Sequence, residues 1–226
     1  MKIATYCITF PEEYEIIRNM VGQAKRLGDV FLFDGGMEYS LCRHPTPDLD
    51  KLAIAKVAAD TGCHYDFLPW PGNPGAQRNA ALEALAAYDY DWIIHNDSDE
   101  LWTNEAVEAI PDYLASLPDR VTNVQVKVLP LVEDEAHYAP GYAHHLVHGR
   151  IHRPGTVKWG ETWHEHQTYT GERVKSDLWL VHTNWLFLNR LRRIKGHGLE
   201  GWESIEVADY DLEYTWPELV YPWDDA

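Results

Sequence analysis

The run Asp97-Ser98-Asp99-Glu100 is the densest concentration of chemically useful side chains in the sequence. It follows directly on DWIIH (91–95), a short apolar stretch of the kind that forms a buried strand. Alternation along an extended segment aims Asp97 and Asp99 to the same side. Two carboxylates so placed repel each other unless a divalent ion or bulk water relieves them, and no cation stands beside them in the sequence. Oxygen ligands select a hard ion, Mg²⁺ or Mn²⁺, and such an ion also bridges phosphates. The competing explanation is an acidic cap on a following helix. Position decides for chemistry, because ligands of open α/β sheets bind at the carboxyl ends of strands.

A second concentration lies later. Eight of the twelve histidines fall between His137 and His182, and WGETWHEHQ (159–167) places Glu161 and Glu165 among Trp and His. Either carboxylate suits a general base. The pattern His164-Glu165-His166, then Glu172, then His182 is also close to a cupin-like arrangement holding Fe or Zn, which requires an all-β frame. A zinc-protease HExxH is absent, since position 168 is Thr. Ten Trp and 13 Tyr exceed the needs of a core this size, and flat rings stack on sugars or bases. A non-catalytic carbohydrate-binding module would use them, but it has no need of DSDE.

The elements that must position these groups alternate. Residues 2–10 form a β-branched and aromatic strand, stopped at Pro11. The spacing of Ile16, Ile17, Met20, Val21, Ala24 and Leu27 predicts a helix closed by Gly28. DVFLF (29–33) is a second strand, ended by Asp34-Gly35-Gly36. A helix through 49–61 and a strand at 64–68 follow. Asn73 is placed as an N-cap and Pro74 at the first helical position, which predicts a helix over 74–87. Strands alternating with helices of this length make βαβ units and a mostly parallel sheet. Beyond 104 the pattern changes: a helix over 105–117, a strand over 121–129, the His- and Trp-rich stretch, then a short basic helix over 186–195. Residues 200–226 carry nine acids and no Lys or Arg, and read as an irregular tail.

Composition narrows the function classes. The 226 residues carry 19 Lys+Arg against 36 Asp+Glu, a net charge of −17, so broad nucleic-acid binding is disfavoured. Cys7, Cys42 and Cys63 lack CxxC spacing and build neither a disulfide framework nor a zinc knuckle. No apolar run approaches the roughly 18 residues that cross a bilayer, and Met1-Lys2 leads straight into a strand rather than a signal peptide. The expectation is a cytoplasmic protein with no transmembrane segment.

Taken in order, these pieces resemble the GT-A glycosyltransferases, and family 2 in particular. The likeness runs over residues 1–185: the opening strand with Thr9, the second strand ending at Asp34, GAQRNAAL (75–82), the strand followed by DSDE, the Trp-His-Glu run (163–165) and the strand ending at His182. DSDE with HE is most similar to the subset that extends lipopolysaccharide cores. The resemblance implies an α/β/α sandwich around a mixed, mainly parallel sheet, with a nucleotide-binding half (1–104), an acceptor-side half (105–185) and a C-terminal helix and tail (186–226). It implies a metal-dependent, inverting transfer of a hexose from a nucleotide-sugar, UDP-glucose or UDP-galactose first, to a hydroxyl. The acceptor is a glycan first, then a protein side chain or a modified nucleobase. By the same likeness Thr9 and Asp34 meet the nucleoside, Arg78 lies near the nucleotide, and Asp97 reaches the donor sugar or ribose and is a candidate metal ligand. Asp99 and His182 hold Mn²⁺ or Mg²⁺, and Glu165, with Glu161 second, is the base. Apart from the resemblance, Arg150, Arg153 and the basic cluster over 190–195, with Arg190 and Arg193, could supply diphosphate contacts. Pro11-Glu12 departs from the family's usual Asn-Glu.

Overall fold

The computed structural model describes residues 1–9, 14–35, 53–132, 137–138, 147–160, 167–185 and 205–206. Its first half runs β1 (Ile3–Thr9), α1 (Tyr14–Ala24), β2 (Asp29–Asp34), α2 (Ala53–Thr61), β3 (His64–Phe67), α3 (Pro74–Leu85) and β4 (Trp92–His95). Strands β3, β2, β1 and β4 lie side by side in parallel, so their carboxyl ends share one edge. The second half continues with β5 (Glu100–Trp102), α4 (Asn104–Ser116), β6 (Val121–Val132), β7 (His137–Tyr138), β8 (Val147–His152), β9 (Val157–Trp159), β10 (Gln167–Tyr169), β11 (Glu172–Trp185) and β12 (Ile205–Glu206). The main sheet is ordered β12-β7-β6-β8-β4-β1-β2-β3, with β11 joining β6 to β5, while β9 and β10 form a separate hairpin.

Strand alternation sorts β1 onto two faces. Tyr6 and Ile8 pack with Phe33 and Ile93 under Ala81 and Leu85 of α3, whereas Cys7 packs with Leu32 under Ile17, Met20 and Val21 of α1. On that second face α4 adds Ile110 and Leu114 over Trp92, Ile94, Val124 and Val126. Helices therefore cover both faces, which buries every residue of β1 and explains its unbroken apolar run. Each fully buried large side chain, such as Ile94, contributes about 1.5–3 kcal/mol. Among the described residues no helix is long and apolar enough to cross a membrane.

Three differences from the sequence expectation bear on function. DSDE is a turn, with Ser98 and Asp99 at its tip, and the chain re-enters the sheet at once as β5. The His- and Trp-rich stretch contributes β7, β8 and β11 to the main sheet, so both halves share it. Within the tail expected to be irregular, Ile205–Glu206 pairs antiparallel with β7. The basic helix expected over 186–195 lies outside the described residues.

Candidate active site

The parallel strands bring Thr9, Asp34 and the end of β4 to the common carboxyl edge. Thr9 and Asp34 are register partners. The Thr9 hydroxyl is buried and donates to the Phe33 carbonyl at 3.2 Å, and Asp34 accepts from the Tyr65 hydroxyl at 3.0 Å. Burial, then that hydrogen bond and the Asp34 charge, push the Tyr65 phenol up to about 12. Helix α3 begins at the same edge. Asn73 caps it by accepting from the Ala76 N–H at 2.7 Å, and Pro74 opens it, as the sequence predicts.

Arg78, one turn into α3, points into the sheet edge and is buried. Its Nη2 donates to Asp97 Oδ1 at 3.2 Å, and its guanidinium lies 4.7 Å above the Trp159 ring. From the other side Arg150 of β8 reaches Asp97 Oδ2 with Nη2 at 3.3 Å, His95 Nδ1 with Nη1 at 2.6 Å, and the buried Glu100 carboxylate. Cations from distant positions thus flank Asp97, where the sequence neighbourhood offers none. The expected shared aim of Asp97 and Asp99 also fails. The turn at Ser98-Asp99 breaks the alternation, sending Asp97 toward the arginines and Asp99 toward His182.

His95 sits at the centre of this network, fully buried against Tyr6 and Trp159. Both ring nitrogens meet guanidinium donors: Nδ1 lies 2.6 Å from Arg150 Nη1, and Nε2 lies 3.1 Å from Arg78 Nε and 3.1 Å from Asp97 Oδ1. Burial, with two guanidiniums adjacent, lowers the ring to about 4, so it is neutral at physiological pH. Burial alone would raise Asp97, but His95, Arg78 and Arg150 overcome it and hold the carboxyl well below the usual range. Burial likewise lowers His152 to about 4.

A pH dependence follows. In the unfolded chain both imidazoles take a proton near pH 6.5, whereas in the folded protein they resist until about pH 4. Stability is therefore retained above about 6.5 and falls as pH drops from there toward 4, by roughly 1.4 kcal/mol per pH unit for each histidine. Below about 4 protonation of Asp97 in the unfolded chain removes more. Urea midpoints measured between pH 7.5 and 4.5 should drop steeply, and a flat profile would contradict this account of the core.

Asp99 and His182 meet across the edge. Strand β11 pairs antiparallel with β5, setting His182 opposite Glu100, and this places His182 Nε2 3.6 Å from Asp99 Oδ1. One carboxylate and one imidazole, both mostly buried, are a donor pair that would suit a hard ion such as Mn²⁺ or Mg²⁺. Among the described residues no group of three or more His, Cys, Asp or Glu is placed to hold a metal ion.

The β9–β10 hairpin closes over α3. The Asn79 amide pairs with both the N–H and the carbonyl of Trp159 at 2.9 Å, and Trp159 Nε1 donates to Tyr6 at 3.1 Å. Gly75 lies so close that an added Cβ would meet the Gly160 carbonyl oxygen at 1.7 Å. Gly75→Ala should accordingly lose roughly 1–3 kcal/mol or more, lowering the melting temperature by about 2–12 °C. An unchanged melting temperature would mean that the hairpin does not rest there.

Of the residues predicted from sequence, Thr9, Asp34, Arg78, Asp97, Asp99 and His182 gather at this edge. Glu161, Glu165, Arg190 and Arg193 lie outside the described residues, as do His164 and His166. The βαβ frame removes the cupin-like alternative. Sequence reading missed His95 and Tyr6. Their only signal was a polar ring interrupting each of two otherwise apolar strands.

No family model matches the sequence, and a comparison with curated proteins finds no match. Solved structures do match in shape. S. aureus TarS overlays with a TM-score of 0.51 at 14% identity, covering 93% of this chain and 42% of TarS. Its fragment 1–349 gives 0.51 at 15% identity, covering 93% of this chain and 68% of the fragment. The chain thus spans less than half of full-length TarS. Glucosyl-3-phosphoglycerate synthase from Mycobacterium tuberculosis overlays on 56% of this chain and 44% of its own, with 16% identity and a TM-score of 0.38. The fold is the GT-A, Rossmann-like α/β fold: a mixed sheet with a parallel β3-β2-β1-β4 half and helices on both faces.

Proposed function

We propose that this protein is a metal-dependent glycosyltransferase, family 2-like, that moves a hexose with inversion from a UDP-sugar to a hydroxyl acceptor, in the cytoplasm. One observation carries it: Asp99 and His182 face each other at 3.6 Å on the sheet edge that also bears Thr9, Asp34 and Arg78. UDP is favoured because TarS, which shares the fold, has been crystallised with UDP and with UDP-GlcNAc. UDP-glucose and UDP-galactose are the donors to try first, and a glycan, as in lipopolysaccharide cores, is the first acceptor.

In this reading Asp34, with Thr9 beside it, orients the nucleoside, and Asp97 meets the donor sugar or ribose. Arg78 lies where the early turn of α3 favours anions, so it and the helix end attract the diphosphate. Arg190 and Arg193 add positive charge there. Asp99 and His182 hold Mn²⁺ or Mg²⁺, which when bound neutralises charge growing on the departing diphosphate. Glu165, or failing it Glu161, takes the acceptor's proton as its oxygen attacks the anomeric carbon from the side opposite the diphosphate.

Thermal shift tests the class. UDP at a hundred times its dissociation constant, with Mn²⁺, should stabilise the protein by about 2.7 kcal/mol, or roughly 5–11 °C. A protein indifferent to UDP, GDP and CDP with Mn²⁺ or Mg²⁺ would not be such a transferase. Nucleotide release measured over UDP-, GDP- and CDP-sugars then identifies the donor.

A further inference from the structure

Glu100 is the most deeply buried of the DSDE acids, with 1% of its side chain exposed, and it faces inward rather than toward the edge. It touches both ends of its own turn. Its Oε2 accepts from the Asp97 N–H at 2.9 Å, its backbone N–H donates to the Asp97 carbonyl at 3.1 Å, and its Oε1 is bound by Arg150. Asn96 Nδ2 donates to the Glu100 carbonyl at 2.8 Å. Two residues on, Gln23 of α1 grips the backbone of Trp102: its Oε1 accepts from the N–H at 2.5 Å, and its Nε2 donates to the carbonyl. The turn is fixed at both ends by side chains that lie below it.

Charge explains why an acid stands at position 100. Arg150 is 3% exposed, and an unpaired guanidinium at that depth is strongly unfavourable. Asp97 alone faces both Arg78 and Arg150. Among the described residues, Glu100 brings this network to two cations and two anions around His95.

We propose that Glu100 is a positioning residue: clamped by Arg150, it closes the Asp97–Glu100 turn from within and sets Asp99 opposite His182 before any ion or nucleotide arrives. This rests on the donor-site reading above and extends it to how the metal site is prepared. A Gln at 100 keeps the shape but presents an N–H₂ to one of two donors, Arg150 or the Asp97 N–H, so the turn loosens without leaving a cavity.

The test is calorimetric binding of UDP by the intact chain across an Mn²⁺ series, with the metal-free UDP affinity and the melting temperature measured alongside. Glu100→Gln should raise the half-saturating Mn²⁺ concentration at least tenfold while metal-free UDP affinity stays within about twofold. Gln23→Ala, which frees β5 from α1 and leaves the ion network whole, should raise it about threefold or more. It also serves if the first variant does not fold. Val30→Ala, in the core at the opposite end of β2, should lower the melting temperature yet leave the Mn²⁺ dependence within twofold. A folded Glu100→Gln or Gln23→Ala protein with wild-type Mn²⁺ dependence overturns the proposal. Loss of metal-free UDP affinity in step with the metal shift overturns it too, since the residue would then support the whole pocket. Wild-type protein that binds UDP identically with and without Mn²⁺ defeats the donor-site reading itself.

Discussion

Asp99→Asn should reduce Mn²⁺-dependent hydrolysis and transfer of a UDP-sugar by on the order of 10³-fold or more. The amide keeps the size of the side chain, so the turn and the neighbouring strands should persist, with a melting temperature within a few degrees of wild type. What disappears is the anionic oxygen facing His182 at 3.6 Å. A neutral amide is a poor ligand for a hard dication, and the ion's share in stabilising the leaving diphosphate amounts to several kcal/mol. At about 1.4 kcal/mol per decade, that is the expected loss in rate. Metal-free UDP affinity should change little, because Asp34 and Arg78 stand elsewhere on the edge. A nucleotide-release assay with Mn²⁺ titrated to saturation makes the measurement. Activity within tenfold of wild type would remove Asp99 from the metal site.

Glu165→Gln should separate binding from chemistry. The proposed base acts only on the acceptor's proton, so UDP and UDP-sugar affinities by calorimetry should stay within a few-fold. Turnover should fall by roughly 10²–10⁴, the usual contribution of general-base help. A chemically exact isostere with no carboxylate cannot accept the proton at neutral pH, and the loss should appear in kcat more than in KM. If Glu161→Gln collapses turnover while Glu165→Gln does not, the base is Glu161. Lost nucleotide affinity in Glu165→Gln would make that residue a binding group instead. The anchoring of Trp159 by Asn79 and Tyr6 gives the segment that follows a fixed starting point on α3.

How far the sequence could be read depended on the range of the interactions involved. Asn73 and Pro74 mark the start of α3 because a helix cap is satisfied within one turn, and β1, β2 and β4 announce themselves because burial on both faces leaves them mostly apolar. Asp97 and Asp99 stood out because they follow an apolar strand that local pattern defines, whereas Asp34 and Arg78 came from the family resemblance. Strand β5 was not legible, since three residues are too few to show a period. Arg150 was read only as one of several cations that could contact a diphosphate. Its partnership with His95, Asp97 and Glu100 exists because β8 inserts antiparallel between β4 and β6, and no local pattern encodes that order. The same nonlocal pairing corrects the view of Asp97 and Asp99 as two like ligands. Once Arg78 and Arg150 converge on Asp97, relief of its charge no longer requires an ion.

The most direct measurement is a crystal structure of the protein grown with Mn²⁺ and UDP, with manganese located by its anomalous scattering. The account predicts a single strong peak touching both the Asp99 carboxylate and His182 Nε2, with the UDP phosphates completing its shell and the uridine lying toward Asp34. Manganese bound away from that pair, or UDP seated with its phosphates elsewhere on the molecule, would contradict it.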